Sequence, residues 1–200
     1  NIGIKKCKKK FAIYSDIDVK FKKNFVTNFI NYAKNFKNFS ILIPNHGKTK
    51  ISKIPVNDYI GEASVMLYNV NKVKNLGLFD ENYFLYFEET DLLLRSKRRN
   101  LNSYLIPALK IKHQRASSVK KNIDTTFLRA WHYMWSMFYF YRKNYTYMVA
   151  FRKISKFIFK DSIMLLYYLC LMDKNNFKLR FYRLYGAISS MIGLKSFLRL

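Results

Sequence analysis

Carboxylates are scarce in this 200-residue chain. Twelve Asp and Glu stand against 37 Lys and Arg, a formal net charge of +25. So cationic a chain points to an anionic partner: nucleic acid, anionic lipid headgroups or a phosphorylated substrate. The abundance of Lys, Asn, Ile, Phe and Tyr also fits AT-rich coding. Cysteine is nearly missing. Cys7 and Cys170 lie far apart, with no partner at metal-ligand spacing. This argues against a disulfide framework and for a reducing compartment. Long apolar runs are missing too. The longest is Ile163–Met172 (IMLLYYLCLM), while a bilayer-spanning helix needs about 20 such residues. The opening NIGIKKCKKK has basic residues but no apolar core of a secretory signal. It does not begin with Met, so the chain is expected to be processed or a piece of something longer.

What is present is a large apolar and aromatic content. Half the residues are hydrophobic and 18% are aromatic, almost all Phe and Tyr. That suffices for one domain, or for one domain with an appendage. The first part alternates short apolar runs with helical patterns. Phe11–Tyr14, Ser40–Pro44, Gly61–Tyr68 and Ser103–Lys112 read as strands. Phe21–Phe36, with Phe21, Phe25, Phe29, Tyr32 and Phe36 on one face, reads as a helix. A short helix over Asn71–Leu76 is expected to end at Gly77. Another is expected over Glu89–Asn100 with Leu92–Leu94 buried. Asn45–Pro55 and the stretch from His113 to Asn122 read as polar loops. Strand–helix alternation favours an α/β sheet.

From about Thr126 the pattern changes to helices, over Phe127–Tyr147, Val149–Met172 and Phe177–Leu200. Residues 127–200 hold thirteen Lys and Arg and only Asp161 and Asp173, a local charge of +11. Basic helices with an aromatic-aliphatic face suggest a membrane surface. A helical lid on the α/β core is compatible with that. The sequence therefore divides into an α/β part, 1–125, and a helical, membrane-proximal part, 126–200.

The few acidic residues are clustered. Asp80, Glu81, Glu88, Glu89 and Asp91 fall within twelve positions, and Asp16 and Asp18 form a second group. Ligands of open α/β sheets bind at the carboxyl ends of strands, where the Asp16–Asp18 pair is expected. Two hard oxygen donors there suit Mg²⁺ or Mn²⁺ on substrate phosphates. Turn formation and helix capping are the commoner uses of Asp. Glu88, Glu89 and Asp91 have an ordinary reading as first-turn acids of a helix, with Asp91 and Arg95 spaced to pair. They also follow the strongly apolar NYFLYF, and a partly desolvated carboxylate has the raised pKa that a general base needs.

Together these residues carry a resemblance. The order is a strand with D-x-D, then GEASVML, then GLFDENYFLYFEETDLLLRSKRRN, then a strand with Pro107, then His113 and Ser117–Ser118. It resembles the family 2 glycosyltransferases of the rhamnosyltransferase-like kind, which have a GT-A fold. In them a G-A-x-x-L strand precedes G-G-F-D-E-x-F-F-x-Y-F-E-D-x-D-L. Residues Gly61–Asn100 follow that pattern nearly position by position. Asn1-Ile2-Gly3 resembles the N-x-G before the family's D-x-D strand. Residues 1–120 are covered, and Trp131–Asn144 is similar to the family's helical C-terminal region.

The resemblance implies an incomplete GT-A sheet followed by a basic amphipathic helical region. It implies transfer of a sugar, with inversion, from a nucleotide-diphosphate donor to a glycan or lipid-linked acceptor in bacterial surface-polysaccharide synthesis. Asp16 and Asp18 would hold Mg²⁺ or Mn²⁺, with His113 approaching the metal or the diphosphate. Glu89 would stand at the catalytic base, with Glu88 beside it and Asp91 orienting it or touching the acceptor. Gly61 and Ala63 would let the backbone approach the sugar. The expected place is the inner face of the cell membrane, peripherally attached through the C-terminal helices, with no nucleic-acid partner. Two departures stand out. The base position is Glu where the family has Asp, and the family's first βαβ portion is not seen before Asp16. A truncated chain of this kind is expected to bind nucleotide-sugar weakly by itself. A non-catalytic relative that binds a membrane or a partner protein is the alternative.

Overall fold

The computed structural model describes residues 1–45, 56–57, 63–113 and 123–198, with the side chains of 56, 57, 113 and 123 left aside. Two compact units arise: Asn1–Asp80 with Glu89–Lys120, and Glu81–Glu88 with Lys121–Leu200. The sequence pattern placed a division at 125/126. Contacts divide the chain at 120/121 and also assign Glu81–Glu88 to the helical unit.

The first unit is α/β. Its elements are α1 (Ile2–Lys6), β1 (Phe11–Ser15), β2 (Val19–Lys20), α2 (Phe25–Asn35), β3 (Phe39–Asn45), β4 (Val56–Asn57), β5 (Val65–Asn69), α3 (Val70–Asn75), α4 (Glu88–Arg98, entering from the other unit at its first residue), β6 (Asn102–Lys110) and β7 (Lys112–His113). Among the described residues the main sheet has the order β1-β5-β3-β6-β4. It is mixed: β3 and β6 run parallel, and the other pairs are antiparallel. β3 is central and buried at every position, which explains its apolar run without alternation. β5 shows the period of two. Met66 and Tyr68 join the core beneath α3 and α4, while Val65 and Leu67 join the core beneath α2. The sheet is therefore covered on both faces.

Several expected boundaries move for identifiable reasons. The helix expected from Phe21 begins at Phe25, because Asn24 takes the left-handed conformation at φ 63°; Phe21 still stacks on Phe25 at 4.6 Å. The strand expected to stop at Pro44 continues to Asn45, with a register break at that step. Gly77 ends α3 as expected. Its φ is +86°, its N–H donates to Lys74 O at 2.9 Å, and Leu78 N–H donates to Val73 O at 3.1 Å, the paired bonds of a Schellman cap. Leu92 and Leu93 are buried, but Leu94 only half so. The loops expected over residues 46–55 and 114–122, and the start of the strand expected from Gly61, lie outside the described residues.

The second unit holds α5 (Ile123–Asn144), α6 (Tyr147–Cys170) and α7 (Lys174–Met191), which pack on one another. Thr146 separates α5 from α6 by capping the latter, its Oγ1 accepting Val149 N–H at 3.2 Å. Asp173 caps α7 in the same way through Asn176 N–H at 3.1 Å. The helix expected to run to Leu200 stops at Met191 instead. Gly193 adopts φ +84°, and its N–H and that of Leu194 donate back to Ser190 O and Ser189 O. The chain then returns along α5, where Trp135 Nε1 donates to Leu194 O at 2.9 Å. Asp161, buried on α6, accepts from Arg180 at 2.8 Å and Arg183 at 2.6 Å.

Candidate active site

The carboxyl end of β1 carries the first candidate. Asp16 N–H donates to Ser64 O at 2.8 Å, prolonging the β1–β5 pairing that ends at Ser15↔Val65. Tyr14, two residues earlier, donates its hydroxyl to Asp16 Oδ1 at 2.6 Å. The same register places Ala12 opposite Tyr68. Tyr68 is buried, edge-on to Phe79 at 6.2 Å. Its hydroxyl meets a weak acceptor, Met66 Sδ, at 3.6 Å.

The electrostatics of Tyr68 tie two candidates together. Burial holds its hydroxyl well above the ordinary tyrosine pKa of 10.0; the charge of Glu89 raises it further, followed by Tyr14 and Asp16. Glu89, in the first turn of α4, and Asp16, after β1, thus act on one hydroxyl. The sequence placed these carboxylates 73 positions apart; the fold brings both within electrostatic reach of Tyr68. A titration effect follows. The folded state holds the Tyr68 proton past pH 10 while the unfolded chain releases it, so this contribution is complete below about pH 10 and is lost as pH rises through the folded pKa. The urea midpoint should therefore fall as pH rises above about 10, and less steeply in Tyr68→Phe. Parallel profiles would refute the assignment.

α4 is held firmly on the sheet. Ser96 Oγ lies 2.5 Å from Ser40 Oγ of β3 and donates to Leu101 O at 2.7 Å, and Ser40 Oγ is 3.2 Å from Ser103 Oγ of β6. Asp91 is 0% exposed and accepts from Arg95 Nε at 2.8 Å, the i,i+4 pair that the spacing suggested. Arg95 also donates to Leu76 O at 2.5 Å and Leu78 O at 2.6 Å, across the cap formed by Gly77. Asp91 thus orients the arginine that ties α4 to the end of α3. Removing one partner of a buried pair typically costs about 3–5 kcal/mol. Asp91→Ala should lower unfolding stability by roughly 3 kcal/mol in urea titration, near the low end because Arg95 remains partly hydrated. A loss under about 1 kcal/mol would show that the pair is not structural.

The remaining candidates are placed as follows. Asp18 is half-buried in the turn before β2. β2 pairs with β7 so that Val19 faces His113, which sets the His113 backbone beside the D-x-D turn; its side chain lies outside the described residues, as does Gly61. Ala63 is buried in the core beneath α3 and α4. Glu88 belongs to the helical unit, half-buried. There the Tyr86 hydroxyl is raised, chiefly by burial; Arg129 opposes the rise, and Glu88 and Tyr133 add to it. Tyr86 and Phe87 both have left-handed backbones, φ 67° and 69°, each costing about 1–3 kcal/mol. Packing fixes them: Tyr86 and Phe87 on Tyr133, Phe87 on Phe140, and Ser136 Oγ donating to Leu85 O at 2.7 Å.

Among the described residues, no group of three or more His, Cys, Asp or Glu side chains is placed to hold a metal ion. Asp16 and Asp18 supply two hard carboxylates. That donor set fits a Mg²⁺-type ion bound through one or two carboxylates with the rest of its shell from substrate phosphate and water. A separate groove of about 510 Å³ runs between α2 and the end of β6, lined by Asn28, Asn31, Tyr32, Asn35, Ala108 and Leu109; none of the candidate carboxylates lines it. Tyr14 and Tyr68 are the members that the sequence pattern missed. Their signal is a hydroxyl-bearing aromatic within an otherwise apolar strand, one of them two residues before Asp16. The chain matches no protein-family model, no curated protein and no solved structure.

Proposed function

We propose that the chain is an inverting, metal-dependent glycosyltransferase of GT-A type, moving a sugar from a nucleotide-diphosphate donor to an acceptor hydroxyl in surface-polysaccharide synthesis. The observation that carries this reading is that Glu89 and Asp16 both raise the buried Tyr68 hydroxyl, after burial itself. A candidate base in the first turn of α4 and a candidate metal carboxylate just after β1 thus act on the same buried hydroxyl. The motif order from Asp16 to His113 supports the same reading.

The roles follow from the chemistry. Glu89 accepts the acceptor hydroxyl's proton as the oxygen approaches the anomeric carbon, which gains oxocarbenium character as in glycoside hydrolysis. Tyr14 restricts Asp16 by occupying Oδ1, and Asp91 keeps α4 in place through Arg95. Asp16 and Asp18 would hold Mg²⁺ or Mn²⁺, which when bound neutralises charge on the departing diphosphate. The protein works at the cytoplasmic side of the membrane, peripherally attached. No helix among the described residues is long and apolar enough to cross a membrane.

Incubation with UDP- and dTDP-sugars in excess and Mn²⁺ tests this. Nucleoside diphosphate should be released, and Asp16→Asn should reduce release by at least about tenfold, since one wrongly charged ligand weakens both metal and diphosphate binding. Release that is equal with EDTA and with Mn²⁺ would refute the metal-dependent mechanism. The second reading, a binding module without turnover, draws on Asp91 being committed to Arg95; folded protein with no release from any donor would favour it.

A further inference from the structure

α6 uses one face and leaves the other uncovered. Ala150, Ile154 and Asp161 are buried, and Phe157 and Ile158 pack beside Met134, Met137, Phe138 and Ala187. The opposite face carries Phe159, Ile163, Leu166 and Cys170, at i, i+4, i+7 and i+11. Phe159 is 71% exposed and Leu166 63%; past the helix end Met172 reaches 85%. Isolated exposed apolar residues are ordinary, but a continuous stripe marks an interaction surface. A helix apolar on both faces also needs a second apolar environment.

Charge identifies that environment. Ahead of Ile163, α6 exposes Arg152, Lys153, Lys156 and Lys160, and Lys174 follows the turn after Met172. The single acid of α6, Asp161, is enclosed and neutralised by Arg180 and Arg183. A second copy of this face would bring the same cations together, whereas an anionic lipid surface attracts them. The run Ile163–Met172 is too short to span a bilayer but suits shallow insertion.

We infer that α6 and the turn at Leu171–Met172 form the membrane-inserting element, docking on an anionic bilayer with the apolar stripe of α6 in the headgroup–acyl boundary and Arg152, Lys153, Lys156 and Lys160 among the headgroups. This rests on the peripheral-membrane part of the proposed function and not on sugar transfer. Each cation at such a surface strengthens binding about fivefold, and the apolar side chains supply the rest.

The test is flotation of the whole chain with vesicles of phosphatidylcholine, alone or mixed with phosphatidylglycerol. Binding should require phosphatidylglycerol and weaken with salt. Phe159→Ser/Leu166→Ser/Met172→Ser alters only exposed positions, so its circular dichroism should match the parent, and its binding should fall on the order of 10²-fold. Lys156→Gln/Lys160→Gln should lose roughly 20-fold. If the triple variant binds mixed vesicles as tightly as the parent, the inserting face lies elsewhere, although membrane attachment stands. A parent that floats with neither vesicle overturns attachment and inserting face together, leaving the donor assay unaffected. A lipid-free dimer abolished by the triple variant assigns the stripe to a second copy of this chain and overturns the proposal.

Discussion

Gly186→Ala should destabilise the helical unit by roughly 3 kcal/mol, although alanine is the better helix former. Two effects of opposite sign compete. Replacing a mid-helix glycine by alanine gains about 0.5–1 kcal/mol of intrinsic helix stability. Gly186, however, sits where α7 crosses α5. A Cβ there would overlap the Trp131 carbonyl oxygen and approach its carbonyl carbon at 2.9 Å and Cα at 3.0 Å. These are backbone atoms, and no side-chain rotation relieves them. Trp131 is itself fixed by Trp135, Tyr185 and Phe197, with ring centroids at 6.3, 6.3 and 5.2 Å. The helices must separate, and overpacking of this kind costs about 1–3 kcal/mol or more, so the steric effect wins. Both tryptophans lie in this unit, so fluorescence-monitored urea unfolding reports on it. Gly3→Ala, in α1 with open space around it, is the control and should be neutral. Equal or greater stability of Gly186→Ala would mean that α5 and α7 do not cross this closely.

What could be read in advance divides along physical lines. Strands with both faces buried and helices with strong aromatic periodicity were legible, because burial writes itself into local sequence: β3, β5, β6, α2 and α4 all lie near their expected places. Ends fixed by one residue's backbone conformation were less so. Gly77 closes a short helical pattern and reads as a stop, whereas Gly193 lies within an apolar, basic run whose hydropathy keeps the helical pattern beyond Met191. Asn24 shortened α2 in the same manner, since Asn enters the left-handed region without announcing it in hydropathy. The two-residue pairing of β2 with β7 had no signal at all, being set by tertiary closure. At the site, Asp16 and Glu89 were nameable by type and position. Their common effect on Tyr68 was not, since it depends on how β1, β5 and α4 pack. Asp91 shows the opposite case. Its local spacing to Arg95 already contained the structural answer, and only burial shows how much of its capacity that pair takes.

Glu89→Gln should reduce sugar transfer about 10²–10⁴-fold while leaving the fold intact, the range expected when a general base is removed from a proton transfer. Gln preserves shape and hydrogen-bonding capacity but cannot accept the proton. Its position in the first turn of α4, half-buried, lets the amide be solvated, so stability should change by under about 1 kcal/mol. The same substitution removes the negative charge that raises Tyr68, so the Tyr68 titration should move down toward its ordinary value. That second readout separates a true local change from general damage, which would expose Tyr68 and quench its buried signature altogether. Glu89→Asp sharpens the geometry. It keeps the charge but withdraws the carboxylate by over ~1 Å, a displacement that can cost about 10²-fold. If this site is built around Glu, the aspartate loses activity with Tyr68 nearly unmoved. Transfer by Glu89→Gln at the parental rate would remove Glu89 from the mechanism. Glu88 would then be the next carboxylate to substitute, since it is the other one at the start of α4.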